Sequence, residues 1–424
     1  MLYFERGSAR ARLSEDDLRD GLYPALTRLG KPRRVLVVPP DFTRFHSQAG
    51  VLTKLIYDYY DERLTDVLPA LGTHTPMSPE QIAEMYAGVP PGLFRSHNWR
   101  TDITTIGEVP AEFVKEVSGG AVDFPWQAQL ASLIWTGKHD LILSVGQVVP
   151  HEVVGMASYN KNIFVGTGGP DSINKSHFIG AAYGLERMMG RTDTPVRRIL
   201  NYASEQFIKH LPIVYVHTVV SPDAKGRLCL RGLYVSDDGS GFDRAAALSL
   251  KVNFEMVRKP LPKVVVYLDP GEYKSTWLGN KSIYRTRMAL ADGGELIVLA
   301  PGLKQFGEDR EIDRLIRKYG YRGTPATLAA VKADAELQNN LGAAEHLIHG
   351  SSEGRFYITY CPGHLTQGEI ESVNFKYADL RRMTARYNPD RLKDGLNIMP
   401  DGDHIFYISN PALGLWANRE RFKD

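Results

Sequence analysis

Cysteine is nearly absent from this chain: there are two, Cys229 and Cys361, both in apolar, strand-like surroundings. The count excludes a thiolate metal cluster, and buried free thiols are expected in place of a disulfide. A surplus of either charge is lacking too, since 51 Lys and Arg stand against 49 Asp and Glu, both signs spread along the chain. Nucleic acid and anionic membrane surfaces each call for a massed basic patch, so neither is an expected partner. No window reaches the roughly 18 apolar residues of a membrane span. The opening MLYFERGSARARLSEDD has no apolar core of signal-peptide length, so a cytoplasmic location is expected. Repeats, heptads and low-complexity tracts are missing, as are the GxxxxGKS/T and GxGxxG patterns of phosphate and dinucleotide sites.

What is present describes a globular α/β protein. At 424 residues, with 43% hydrophobic and 24% charged side chains, the chain exceeds one ordinary core, and two domains are expected. RRVLVVPPDFTR (33–44) reads as a buried strand running into a loop with Asp41 and Arg44, VLTKLIYDYYDERL (51–64) as a helix, and TDVLPALGTH as a strand ending at His74. GEVPAEFVKEVSGGAVDF reads as strand or hairpin, WQAQLASLIWTGKHD as a helix, and DLILSVG (140–146) as the next strand. A helical stretch broken at Thr194-Pro195 leads to a hairpin around Asp223-Ala224-Lys225-Gly226 and a helix RAAALSLKVNFEMV. The prolines of KPLPK (259–263) mark the boundary, giving domains 1–258 and 263–400, with 403–424 returning to the first. KVVVYLDP, GELIVLAP and RFYITYCP read as strands of the second domain, NKSIYRTRMALADGG and EDREIDRLIRKYG as helices, with one or two more between Pro325 and Gly350. Each domain is expected to be a mostly parallel sheet flanked by helices, with the active site in the cleft between them.

The chemistry concentrates between Ser144 and Gly180. His151 follows a strand end, Lys161 comes ten residues later, Gly166, Gly168 and Gly169 follow, and His177 lies sixteen residues past the lysine. Imidazole is both the usual nickel, zinc or copper ligand and the usual general base near neutral pH, and glycine admits close approach of a ligand to the backbone. With Asp41, Arg44 and His74 these groups sit at the tips of strands, where ligand sites of α/β proteins collect. Lys281 and Trp277 are the second domain's candidates; Tyr202, His97 and Lys138 are further ones.

Four stretches, DFTR (41–44), GTH (72–74), PHEVVGMASYNK (150–161) and SINKSH (172–177), resemble the lactate racemase family of nickel-pincer enzymes, and the likeness spans most of the chain. Where that family typically carries a segment of the type FAGFSGGRK, this chain reads EVVGMASYNK. The resemblance implies inversion at C2 of a 2-hydroxy acid by reversible hydride transfer to a nickel-pincer pyridinium nucleotide (pyridinium-3-thioamide-5-thiocarboxylic acid mononucleotide). By the same resemblance Lys161 is the covalent tether, His177 the nickel ligand, Gly166, Gly168 and Gly169 cofactor contacts, and His74 and His151 the acid/base pair. Arg44 holds the substrate carboxylate, with Lys281, Asp41 and Trp277 as further substrate contacts, and separate maturation proteins supply the cofactor.

Two other readings use the same residues. A metal-dependent hydrolase would take His74, His151 and His177 as ligands to one ion with a bound water, and would leave Lys161 and Arg44 idle. A non-catalytic protein closing on a hydroxy or sugar acid would need Arg44 and Lys281 but not the histidines.

Overall fold

The computed structural model describes residues 1–223 and 226–422. Ala224 and Lys225, the centre of the expected hairpin turn, lie outside the described residues, as do the last two of the segment 403–424. The chain forms two compact units, one of Met1–Ile179 with Met188–Asn253, the other of Gly180–Arg187 with the residues from Phe254 onward.

The first unit is built on a six-stranded sheet in the order Leu2–Gly7, Leu228–Ser236, Ile213–Pro222, Leu141–Gln147, Val35–Val38, Leu64–Val67. The last four run parallel, whereas Leu228–Ser236 pairs antiparallel with both its neighbours. Val35–Val38 and Leu141–Gln147 are buried at every position, which a parallel strand covered on both faces requires and an unbroken apolar run supplies. On one face the helix Glu15–Arg28, started by a Ser14–Asp17 capping box, lays down Leu18, Leu22 and Leu26, and Ala49–Tyr60 adds Leu52, Leu55 and Ile56. Because Leu64–Val67, Val35–Val38 and Leu141–Gln147 are parallel neighbours, the loops after them leave the same edge. Asp41, His74 and His151 all belong to those loops.

The second unit has its own six-stranded sheet, ordered Lys376–Tyr377, Tyr357–Pro362, Leu290–Ala300, Leu261–Tyr267, His404–Ile408, Gly395–Ile398, parallel except for its last pair. The expected return of 403–424 to the first domain is therefore overturned. His404–Ile408 buries its apolar run beside Leu261–Tyr267, and Leu415–Asn418 pairs with Phe254–Val257.

Several elements also differ from expectation. Ala111–Val117 is a helix and Trp126–Ala131 a strand, the reverse of the sequence reading. WQAQLA alternates buried and half-buried residues against Ile103–Val109, a period of two that governs once a partner strand is present. Phe254–Val257 is strand instead of helix end, and the expected helix 280–294 shrinks to Lys281–Tyr284 because Leu290 already begins a strand. Three helices, not one or two, fill 324–349. Among the described residues no helix is long and apolar enough to cross a membrane.

Candidate active site

Pro39 and Pro40 carry the chain in extended form out of Val35–Val38, and the buried Asp41 is the first group past them. Its carboxylate accepts hydrogen bonds from Thr43 Oγ1 at 2.5 Å and from His74 Nδ1 at 2.6 Å. Burial alone would raise the Asp41 pKa, but the contacts with His74 and Thr43 and the charge of Arg44 hold it below the usual carboxylate range. A carboxylate on Nδ1 fixes the proton there and leaves Nε2 of His74 with a lone pair. The His74 loop is tied down at Gly72, whose N–H donates to the Gly166 carbonyl at 2.7 Å.

His151 has the opposite arrangement. It lies in a two-residue bridge with Gly155–Met156, and its Nδ1 accepts the Val153 N–H at 3.1 Å, so the neutral ring carries its proton on Nε2. Burial drives the His151 pKa well below its ordinary value; Glu152 opposes the shift, and the charges of Lys161, Arg44 and His177 add to it. Lys161 is pushed down to about 8, first by burial and then by Arg44, against the pull of Glu152 and Asp41. Arg44, His151, Lys161 and His177 thus share one electrostatic neighbourhood within the first unit. His177, on the helix Pro170–Tyr183, donates its Nδ1 proton to the Ile173 carbonyl at 2.7 Å and keeps Nε2 as a lone-pair donor, the arrangement in which imidazole binds metals.

Lys161 stands at the start of a buried π-helical turn, Asn162–Gly166, a geometry that recurs at functional sites and leaves no signature in composition. Asn162 pins the turn by donating to the Val145 carbonyl at 3.0 Å. The three glycines are each explained by the protein's own packing. A Cβ on Gly166 would lie 2.8 Å from that of Ala70, one on Gly168 2.1 Å from the Phe164 carbonyl oxygen, and one on Gly169 2.5 Å from Gln129 Oε1. Two cavities, about 510 and 340 Å³, meet at His74; the first is lined by Asp41, Phe42 and Thr43, the second by His97, Trp99 and Arg100.

The remaining candidates are distributed differently. Lys281 and Trp277 belong to the second unit, where Trp277 stacks on His346 at 4.5 Å and Asn280, next to Lys281, accepts from Tyr360 Oη at 2.8 Å. His97 braces the glycine turn through Nε2 and the Gly168 carbonyl at 2.9 Å, Tyr202 packs on Phe113, and Lys138 is an exposed turn residue. The hydrolase reading loses its ligand set. Among the described residues no group of three or more His, Cys, Asp or Glu converges so as to hold a metal, and the lone pair on His151 Nδ1 is taken by the Val153 N–H. Sequence reasoning passed over Asn160, Arg197 and His217, all buried beneath the Lys161 turn. Arg197 lies in the helical stretch that follows the break at Thr194-Pro195, where the sequence alone singles out no residue.

The fold places the chain among two-unit α/β proteins whose polar groups gather at the carboxyl edge of a parallel sheet. No family model matches the chain, and no curated protein does. Among solved structures, a Thermotoga maritima protein from a structural genomics programme superposes with a TM-score of 0.78 at 24% identity, over 96% of this chain and 99% of its own. The lactate racemase apoprotein from Thermoanaerobacterium thermosaccharolyticum superposes with a TM-score of 0.71 at 16% identity, over 97% of this chain and 94% of its own. The chain has a lactate racemase-like fold.

Proposed function

We propose that this protein is an isomerase that inverts C2 of a 2-hydroxy acid, as a racemase or epimerase, using a nickel-pincer nucleotide tethered to Lys161. The observation that carries the reading is the gathering of Arg44, His151, Lys161 and His177 in one neighbourhood, with the Asp41–His74 pair bridging two loops of the same sheet edge. The residues fit such a group. An amine pushed down to about 8 is partly deprotonated near neutral pH and is a competent acyl acceptor. His177 offers one imidazole lone pair, which suffices where the ligand itself fills the other positions on the metal.

When bound, the nucleotide supplies a hydride acceptor and donor. Everything else falls to the chain. Arg44 pairs with the substrate carboxylate as a planar fork and fixes the orientation of C2. The hydroxyl proton must leave as the hydride does, and His74 Nε2, whose lone pair is left facing out by the Asp41 carboxylate on Nδ1, receives it. The resulting 2-keto acid is planar at C2. Hydride returning to the other face requires a proton on oxygen, and His151 provides it from the imidazolium form, so that each turnover begins with one histidine protonated and the other neutral; the reverse reaction exchanges the two roles. Separate maturation proteins build the nucleotide, because the sequence carries no ATP-binding or sulfur-transfer motif.

The test is the denatured mass of protein purified from a host able to make the cofactor, followed by peptide mapping. A nucleotide-sized adduct on Lys161, absent in Lys161→Ala, is the expected result, together with racemisation of a 2-hydroxy acid. A bare Lys161 in protein that inverts no hydroxy acid would overturn the reading.

A further inference from the structure

The chain entering Lys161 is held in an unfavourable conformation. Ser158 and Tyr159 have φ of 75° and 60°, two consecutive non-glycine residues in the left-handed region, immediately before Asn160 and Lys161. Each is disfavoured for an L-residue, so such a pair persists only where its surroundings over-determine it.

The surroundings are built around one side chain. Arg197, on the helix Pro195–Ala203, is 2% exposed, and among the described residues no carboxylate lies within ion-pairing distance of it. Its guanidinium donates instead to the Met156 carbonyl at 2.6 Å, to the Ser158 carbonyl from both terminal nitrogens at 3.4 Å, and to Asn160 Oδ1. The Phe242 ring lies 4.5 Å from the guanidinium carbon and the Tyr159 ring 5.7 Å. The same helix clamps the other end of Asn160, whose amide donates to Asn201 Oδ1 at 2.8 Å and Ser204 Oγ at 3.1 Å. Ser158 Oγ meets His217 Nδ1 at 3.0 Å. A buried cation that Asp243 balances only from beyond ion-pairing distance is costly where only fold stability is at stake, and a neutral side chain would fill the space more cheaply. A planar fork that grips alternate residues of one turn fixes that turn's shape, which an ammonium does not.

We infer that Arg197 is the positioning residue of the tether: it holds the left-handed Ser158–Tyr159 turn so that the Lys161 amine is presented into the site in one fixed, desolvated pose. The inference rests on the proposed role of Lys161 and adds the device that sets its geometry. Arg197 touches no reacting atom.

The experiment follows the pH midpoint of Lys161 acylation in the cofactor-free protein, by trace labelling with acetic anhydride and peptide mass spectrometry. The midpoint reports the environment of the amine and, unlike the rate, is not set by access. Burial and the neighbouring charges push the wild-type amine down to about 8, where its midpoint is expected. Arg197→Gln is expected to raise the midpoint by at least one unit, with about tenfold less labelling at pH 7, but part of that rise is the loss of the Arg197 charge, which itself lowers the Lys161 pKa, so the charge-retaining Arg197→Lys decides the positioning role. Arg197→Lys retains charge without the fork and is expected to raise it as well; Phe242→Leu removes one face of the stack and gives a smaller rise. Far-UV circular dichroism and melting verify that each variant is folded, and the latter two keep the test open if Arg197→Gln is not. A folded Arg197→Lys or Arg197→Gln with the wild-type midpoint overturns the inference. An Arg197-dependent midpoint with no adduct on Lys161 in protein from a maturing host sinks the cofactor reading and leaves the positioning role. An adduct with an insensitive midpoint does the reverse.

Discussion

At the scale of single residues, the two histidines differ in everything that governs proton transfer. His74 has a carboxylate behind Nδ1 and a side chain 56% exposed, whereas His151 is 7% exposed with a backbone amide behind Nδ1. Asp41→Asn removes the charge and lets the amide face the ring with either hydrogen or oxygen, so the tautomer is no longer enforced. The expected result is a loss of about 10²–10⁴-fold in kcat/KM, the range general acid–base groups supply, with the Lys161 adduct retained; full activity in Asp41→Asn would remove His74 from the mechanism. These groups were legible in the sequence because each apolar run ends abruptly in a polar side chain. Arg197 was not, because a buried arginine beside the exposed Arg198 looks identical to a solvated pair until the turn it serves is seen.

At the scale of elements, the glycine turn after Lys161 is answered by packing. Gly168→Ala would press a methyl group onto the Phe164 carbonyl and Ser172 Oγ, neither of which is a flexible chain end. The cofactor-free variant is expected to lose about 1–3 kcal/mol in urea melts. Unchanged stability with weakened cofactor loading would instead return this glycine to ligand contact. The same scale shows where sequence patterns fail. AEFVKEV and WQAQLA have helical and alternating spacings of similar strength, and the partner strand Ile103–Val109 decides between them. The π-turn has no pattern at all, since its five residues are simply buried.

At the scale of the whole molecule, each unit carries an imidazole sealed in its interior. His217 in the first unit is pushed down to about 3 by burial and by Arg197, and His346 in the second to about 3, chiefly by burial. Both are neutral when folded and free to protonate near 6.5 when unfolded. Stability is therefore full above about pH 6.5 and falls by about 1.4 kcal/mol per pH unit for each histidine as the pH drops toward 3. Between pH 6.5 and 5, His217→Asn is expected to lose about 2 kcal/mol less than wild type in urea melts. Parallel pH curves for the two proteins would show that His217 is already protonated in the folded state. Both sheets were foreseeable from apolar runs such as VLVV and LILSV; the tail's place in the second was not, because HIFYI fits either sheet until its neighbours are known.

The unequal histidines have one more consequence under the proposed reaction. Enantiomers have equal free energy, so a racemase obeys an equilibrium constant of one, and kcat/KM must be identical for the two hands of its substrate. An advantage of His74 over His151 as proton acceptor cannot make the enzyme prefer one hand at low concentration. It must surface as turnover numbers and Michaelis constants that differ between the hands by the same factor, the faster-turning enantiomer being the more weakly held. For an epimerase, whose diastereomers differ in energy, that cancellation is lifted, and progress curves begun from either side separate the two cases.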